Sequence, residues 1–269
     1  MNVEKLTQQA RTHPGRLGDP RRMVVPLATD ADGSHRFPWH HHDRAQLIYA
    51  ARGVLSVLTH QGTWVVPPHQ AVWVPATIAH EVYSVGPLSM RSLYVHPDAT
   101  AGLPASCCVV TVTALLRELI LHACTVPANY PLQGTEQRLM TLIIDQLREL
   151  EAAPLYILRP QDSRARVVAD TLLANPADRR SLQQWAREVG ASSRTLARIF
   201  VRETNMTFGS WRRRLRLLET ISRLNAGQAV TRVALDLGYS SPSAFVAMFK
   251  RTLGVSPGRY LRESRTGFE

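Results

Sequence analysis

Three histidines and one amide stand at spacings that can do chemistry. His40 and His42 lie two apart in Trp39-His40-His41-His42-Asp43-Arg44-Ala45-Gln46, so on an extended chain they share a face that His41 does not. His80 closes Pro75-Ala76-Thr77-Ile78-Ala79-His80, and a hairpin can bring it beside the pair, with Gln46 completing the ring. Neutral imidazoles bind divalent transition ions, which makes His40, His42 and His80 candidate metal ligands. The same residues, with Gln46, Ile48 and Trp73, also suit the wall of an organic-ligand pocket, or simple hydrogen bonding near a barrel mouth. Gln46 weighs against catalysis. A neutral amide is a poor metal ligand beside a carboxylate, and it supplies no general base.

A second set of residues is basic and repeated. Ala186, Val189, Gly190, Ser192, Leu196, Phe200, Asn205, Thr207 and Trp211 are matched by Ala234, Leu237, Gly238, Ser240, Phe245, Phe249, Gly254, Ser256 and Tyr260. Each copy reads as helix, glycine turn, helix, the layout of a helix-turn-helix. Ser181 with Gln184 predicts a capping box, Ser192 an N-cap, and Ser241-Pro242 and Ser256-Pro257 an N-cap before a first-turn proline. An αα-hairpin would space its residues in the same way, so the charge decides. Residues 161–269 hold 19 Lys and Arg against 9 Asp and Glu, whereas residues 1–160 hold 13 against 12. Nearly all of the chain's excess of +11 therefore lies on the repeated segment, as expected of a domain that binds duplex DNA.

The elements that must position these residues divide the 269-residue chain in two. Residues 1–22 read as a mobile lead-in. Residues 23–155 form the first domain, with short strands over 23–96 at the spacing of a small barrel, followed by two amphipathic helices within 111–151. Those helices can pack on the barrel and also meet a second subunit. Residues 151–162 read as a linker. Residues 163–263 form the second domain: a helix to about Ala174, the first motif, a long helix from about Thr207 to Leu224, the second motif, and a closing helix from Pro257 to about Arg262.

The histidine motifs resemble those of the cupin superfamily, with Gln46 in the usual Glu slot. The second repeat, Ala234 to Phe245 and Phe249 to Leu261, is similar to the signature of the AraC/XylS family of bacterial regulators. The resemblance implies an α+β two-domain chain: an N-terminal cupin-like β-barrel with a helical extension, and a C-terminal all-α tandem helix-turn-helix domain. It implies a regulator controlled by a small-molecule effector or metal in the barrel, acting on double-stranded promoter DNA and on initiation by RNA polymerase, as a homodimer. Two recognition helices on one unit suit successive major grooves about 34 Å apart.

Helical facing then assigns roles. With Leu196, Ile199 and Phe200 inward, Ser193, Arg194, Ala197 and Arg198 face the groove; with Phe245, Met248 and Phe249 inward, Ser241, Ser243, Ala244, Ala247 and Lys250 do. Arg194 and Arg198 match the two acceptors of guanine, while Arg212, Arg213, Lys250 and Arg251 suit phosphates. The alternatives are a metal-dependent cupin enzyme that the basic domain tethers to DNA, and a non-specific nucleoid protein.

Composition bounds the rest. No apolar run approaches the roughly 20 residues of a membrane helix and Met1-Asn2-Val3-Glu4-Lys5 lacks a secretory pattern, so no membrane partner and a cytoplasmic setting are expected. Cys107, Cys108 and Cys124 have neither metal nor disulfide spacing and read as reduced thiols.

Overall fold

The computed structural model describes residues 21–67, 70–84, 86–150, 152–153, 155–239, 241–253 and 255–266. Most of the lead-in, Glu151 and Pro154 of the linker, and Ser240 and Gly254 of the second repeat lie outside the described residues. The chain divides into two compact units, residues 1–59 with 64–155, and residues 60–63 with 156–269.

The first unit contains strands β1 (Val24–Ala31), β2 (His35–His40), β3 (Ala45–Arg52), β4 (Leu55–Thr59), β5 (Gly62–Val66), β6 (Gln70–Val74), β7 (His80–Ser84), β8 (Leu88–Val95), β9 (Cys108–Thr111) and β10 (Ala152–Ala153). They form two antiparallel sheets. One runs β1-β8-β3-β6-β9-β10, and the other contains the order β5-β4-β7-β2.

Alternation along β3 sorts the interior. Ala45, Leu47 and Tyr49 lie in one buried cluster with Trp73, Leu93 and Val95, and with helices α1 (Ala114–Ala123) and α2 (Thr135–Arg148). From α1 come Leu116, Ile120 and Ala123; from α2, Met140, Ile143, Ile144 and Leu147. Gln46 and Ile48 point to the other face, toward the second sheet.

Three elements depart from expectation. β2 was hidden because Pro38 interrupts His35-Arg36-Phe37-Pro38-Trp39-His40, and a proline within a run argues against a strand. The structure places it at the end of its sheet, where Pro38 is tolerated, with a register shift between Phe37 and His40. β9 lies just before α1, in a run too short to show a period. Tyr156–Leu158 is strand β11 within the expected linker, and it groups with the second unit. Arg22, expected in the lead-in, donates from Nε to Tyr130 O at 2.9 Å and accepts from Arg44 Nη1 at 2.8 Å through its own carbonyl.

The second unit carries helices α3 (Ser163–Ala174), α4 (Leu182–Glu188), α5 (Ser193–Thr204), α6 (Phe208–Asn225), α7 (Val230–Asp236), α8 (Pro242–Leu253) and α9 (Pro257–Thr266). The repeat is physical as well as sequential. Gly190 and Gly238 both adopt positive φ, +65° and +77°. The following residue donates back across each turn, Ala191 N to Ala186 O at 2.8 Å and Tyr239 N to Ala234 O at 3.0 Å, the six-to-one closure of a Schellman end. Phe200 packs edge-on against Trp211, and Phe249 packs in the same way against Tyr260.

The caps form where the sequence placed them. Ser181 and Gln184 make the capping box, and Ser192, Ser241 and Ser256 each accept a backbone N–H in the first turn of the following helix. Asn205 takes the left-handed conformation at φ +58°. The three cysteines are half-buried and unpaired, and burial pushes the Cys107 thiol up to about 12, which makes it a poor nucleophile.

Candidate functional site

Between the sheets, the structure gathers the histidines around Gln46. His40 ends β2 and is the register partner of His80 at the start of β7, so their ring centroids lie 4.4 Å apart. His42 arrives from the connection before β3, with its ring centroid 5.3 Å from that of His80. One ligand nitrogen from each of the three lies within 4.8 Å of the others. His42, His80 and Gln46 are buried, and His40 is half-buried.

Backbone carbonyls aim the three rings. His40 Nδ1 donates to Pro38 O and His80 Nδ1 to Ile78 O, both at 2.8 Å, and His42 Nδ1 donates to Arg44 O. Since a carbonyl only accepts, each Nδ1 holds the proton and each Nε2 keeps its lone pair. Burial holds His42 below the usual histidine range and pushes His80 down to about 3, so both are neutral at pH 7.

Gln46 Oε1 lies 3.1 Å from His42 Nε2 and 3.2 Å from His80 Nε2. Its amide nitrogen donates to Ser92 Oγ at 3.0 Å and Tyr94 Oη at 3.1 Å. Three neutral imidazoles, each with Nδ1 fixed on a carbonyl, fit the ligand side of a divalent transition ion.

Ile48 shares the Gln46 face, whereas Trp73 does not line this site. Leu47 is the register partner of Trp73, and Ile48 that of Val72, so alternation turns Trp73 toward α1 and α2, where its Nε1 donates to Pro104 O at 2.8 Å. Ser92 and Tyr94 went unremarked in the sequence because they reach Gln46 across the β3–β8 ladder.

In the helical unit, ion pairing sorts the arginines. Most are engaged: Arg159 with Asp170, Arg164 with Asp162, Arg180 with Asp178 and Glu188, Arg202 with Glu203, Arg223 with Glu219. Arg212 Nη1 donates to Arg180 O at 2.8 Å, and Arg216 donates to Pro176 O and Asp178 O at 2.9 and 3.1 Å, so both bolt α6 to the α3–α4 connection. Arg213 is exposed and touches Ser210 Oγ.

By contrast, Arg187, Arg194, Arg198, Lys250 and Arg251 are exposed, with no hydrogen bond, ion pair or ring contact to another described residue. On α5, Ser193 and Ala197 are half-exposed beside Arg194 and Arg198. On α8, Ser243, Ala244 and Ala247 are exposed, while half-buried Ser241 is occupied in capping. Arg187, at the end of α4, is a cation that the facing argument passed over.

Known families match both units. A family described as AraC-like ligand binding domain matches residues 26–149, and one described as helix-turn-helix domain matches residues 185–263. The HTH-type transcriptional regulator NimR of Escherichia coli (strain K12) is 32% identical over 229 residues, 85% of this chain and 84% of NimR. The chain belongs to the AraC family of transcriptional regulators.

Among solved structures, fatty-acid-bound ToxT from Vibrio cholerae aligns over 88% of this chain and 94% of its own, with 12% identity and a TM-score of 0.38. The DNA-binding domain of AdpA, solved with a target DNA, aligns over 39% of this chain and 96% of its own, with 30% identity and a TM-score of 0.36. As an AraC-family member, the chain is a DNA-binding transcriptional regulator with an N-terminal ligand-binding domain. No helix among the described residues is long and apolar enough to cross a membrane.

Proposed function

We propose that this AraC-family regulator reads promoter DNA with α5 and α8, and that an effector held between the two sheets of its first unit controls it. The domains are taken as 23–155 for sensing and dimerisation and 163–263 for DNA binding. The observation that supports the DNA face is the sorting of charge: the arginines away from the recognition helices are mostly committed to carboxylates or carbonyls, while Arg194, Arg198, Lys250 and Arg251 are exposed without such partners. An unpaired guanidinium can meet guanine or phosphate without breaking an existing bond.

The effector site comprises His40, His42, His80, Gln46 and Ile48. It binds without catalysing: Glu81, next to His80, pairs with Arg36 at 3.3 Å, and Asp43 is exposed, so neither carboxylate joins the cluster. Leu115 on α1 and Leu142 on α2 stay 54% and 42% exposed, which supports a homodimer through these helices. RNA polymerase is the further partner, and the cytoplasm the setting.

The test begins with selecting bound fragments from the source genome with the full chain. These are then titrated against random duplex at physiological salt. Specific binding at least a thousandfold tighter than random is expected; equal affinity for both would overturn the reading.

A further inference from the structure

Arginines gather where the two helix-turn-helix motifs meet, and the nearby acids are already taken. Arg179 Nη2 donates to Gly238 O at 3.5 Å, and a Cβ placed on Gly238 would lie 3.5 Å from Arg179 Nε and 3.7 Å from Arg216 Nη2. Arg213 stands three residues before Arg216 on α6, so the two share a helix face. Asp178 and Glu188 both pair with Arg180.

Carbonyl dipoles offset two of these cations, Arg212 through Arg180 O and Arg216 through Pro176 O and Asp178 O. Arg179 and Arg213 lack such compensation. Both are exposed, and among the described residues they make only the long contact to Gly238 O and one to Ser210 Oγ at 3.0 Å. Tyr239, next to Gly238, packs its ring edge-on against Phe245 and leaves its Oη buried without a hydrogen-bond partner among the described residues. Burial pushes that hydroxyl up and the Arg216 and Arg213 charges pull it back, so both guanidinium groups act on it. A buried hydroxyl without a partner is unfavourable, and a hydroxyl donor beside uncompensated cations suits an anion.

The place of the cluster in the chain points to which anion. Arg179 stands two residues before Ser181, the cap of α4, and Tyr239 three residues before Pro242, the first residue of α8, so the cluster adjoins both motifs. Recognition helices in successive major grooves leave a stretch of sugar-phosphate backbone between them. Its phosphates accept hydrogen bonds from arginine and from the tyrosine hydroxyl.

We propose that Arg179, Arg213 and the Tyr239 hydroxyl form a seat for one DNA phosphate, on the backbone between the two grooves. The seat rests on the reading of α5 and α8 as the recognition helices. A phosphate held from both motifs at once also restricts the spacing of the two DNA elements that the protein accepts.

The test uses the full chain and a duplex carrying its selected site, in which a neutral methylphosphonate replaces one phosphate at a time between the two elements. One position should weaken wild-type binding about fivefold or more, and binding of the Arg179→Ala, Arg213→Ala double variant less than about twofold. On unmodified duplex the double variant should flatten the salt slope by about 0.9, the contribution of one phosphate rather than two. Tyr239→Phe separates binding from folding. It removes only the unpartnered hydroxyl, so its melting temperature should not fall, whereas its affinity should drop about threefold or more on specific and random DNA alike.

Wild-type affinity in Tyr239→Phe, or methylphosphonate duplexes that all bind the wild type alike, overturns the seat. A lowered melting temperature in Tyr239→Phe gives the hydroxyl a structural partner and removes it from the seat. If inorganic phosphate at constant ionic strength competes with DNA for the wild type but not for Tyr239→Phe, while no methylphosphonate position matters, the site takes a free anion and the DNA assignment falls. A seat that fails while Arg194→Ala still relaxes preference at one base pair leaves α5 and α8 as recognition helices. Unchanged preference in Arg194→Ala removes that reading, and with it the placing of the seat.

Discussion

Replacing Arg194 with alanine should damage base discrimination while leaving the fold alone. Arg194 is exposed on α5 without a partner among the described residues, so its removal should change folding stability by no more than about 0.5 kcal/mol. A guanidinium forked onto the two acceptors of a guanine contributes about 1–3 kcal/mol of discrimination, roughly a 5- to 150-fold loss at one base pair. Because the contact is to a base, the dependence of affinity on salt should keep its slope. Removing a phosphate contact such as Lys250 should instead weaken binding to all sequences and flatten the slope by about 0.9. The assay is a fluorescence-anisotropy titration of Arg194→Ala on its best site, on that site with each guanine changed in turn, and on random duplex, at several salt concentrations. Preference should relax at one position only. Equal losses on specific and random DNA, or a shallower slope, would refute the assignment and make Arg194 a phosphate ligand.

Arg216→Ala should act on stability, at a cost of about 2–4 kcal/mol, because it strands the carbonyls of Pro176 and Asp178; urea unfolding would show this, with DNA affinity per folded molecule unchanged. Gly190→Ala and Gly238→Ala compare the same turn in two settings. The first should cost about 1 kcal/mol for its positive φ alone, and the second about 2 kcal/mol because a new Cβ would also meet Ala177 O at 3.2 Å; equal midpoint shifts would contradict this. Trp73→Ala should cost about 3–5 kcal/mol through a cavity beneath α1 and α2 without altering ligand binding at Gln46, as thermal melts with a binding titration would reveal. The carboxyl of Asp162 is held down to about 2, chiefly by the Arg164 guanidinium, so the folded-state pKa lies below the unfolded one and its contribution is complete above about pH 4. That contribution is lost as pH falls toward 2; Asp162→Asn, which retains a cap, should flatten this acid limb in melts between pH 5 and 2.

The helical unit was legible because its information is local. Capping serines, positive-φ glycines and a 3.6-residue period act within one turn, so Ser181, Gly190, Ser192, Gly238 and Ser256 announced their roles from sequence neighbours alone. The sheets were legible as strands but not as partners. Which face Trp73 occupies depends on pairing it with Leu47 rather than Ile48, a register that no local pattern encodes. The same limit hid Ser92 and Tyr94, although they set the direction of the Gln46 amide.

The arginines of α6 show the limit from another side. Arg212, Arg213 and Arg216 lie within five residues on one helix, yet of these three only Arg213 is exposed, because the α3–α4 connection supplies carbonyls where the other two emerge. Charge counted along the chain located the DNA-binding unit correctly in bulk. Which charges remain available to DNA is decided by the backbone carbonyls and carboxylates that folding brings within reach. A basic helix in this unit is therefore better judged by its unpaired guanidinium groups than by its number of arginines.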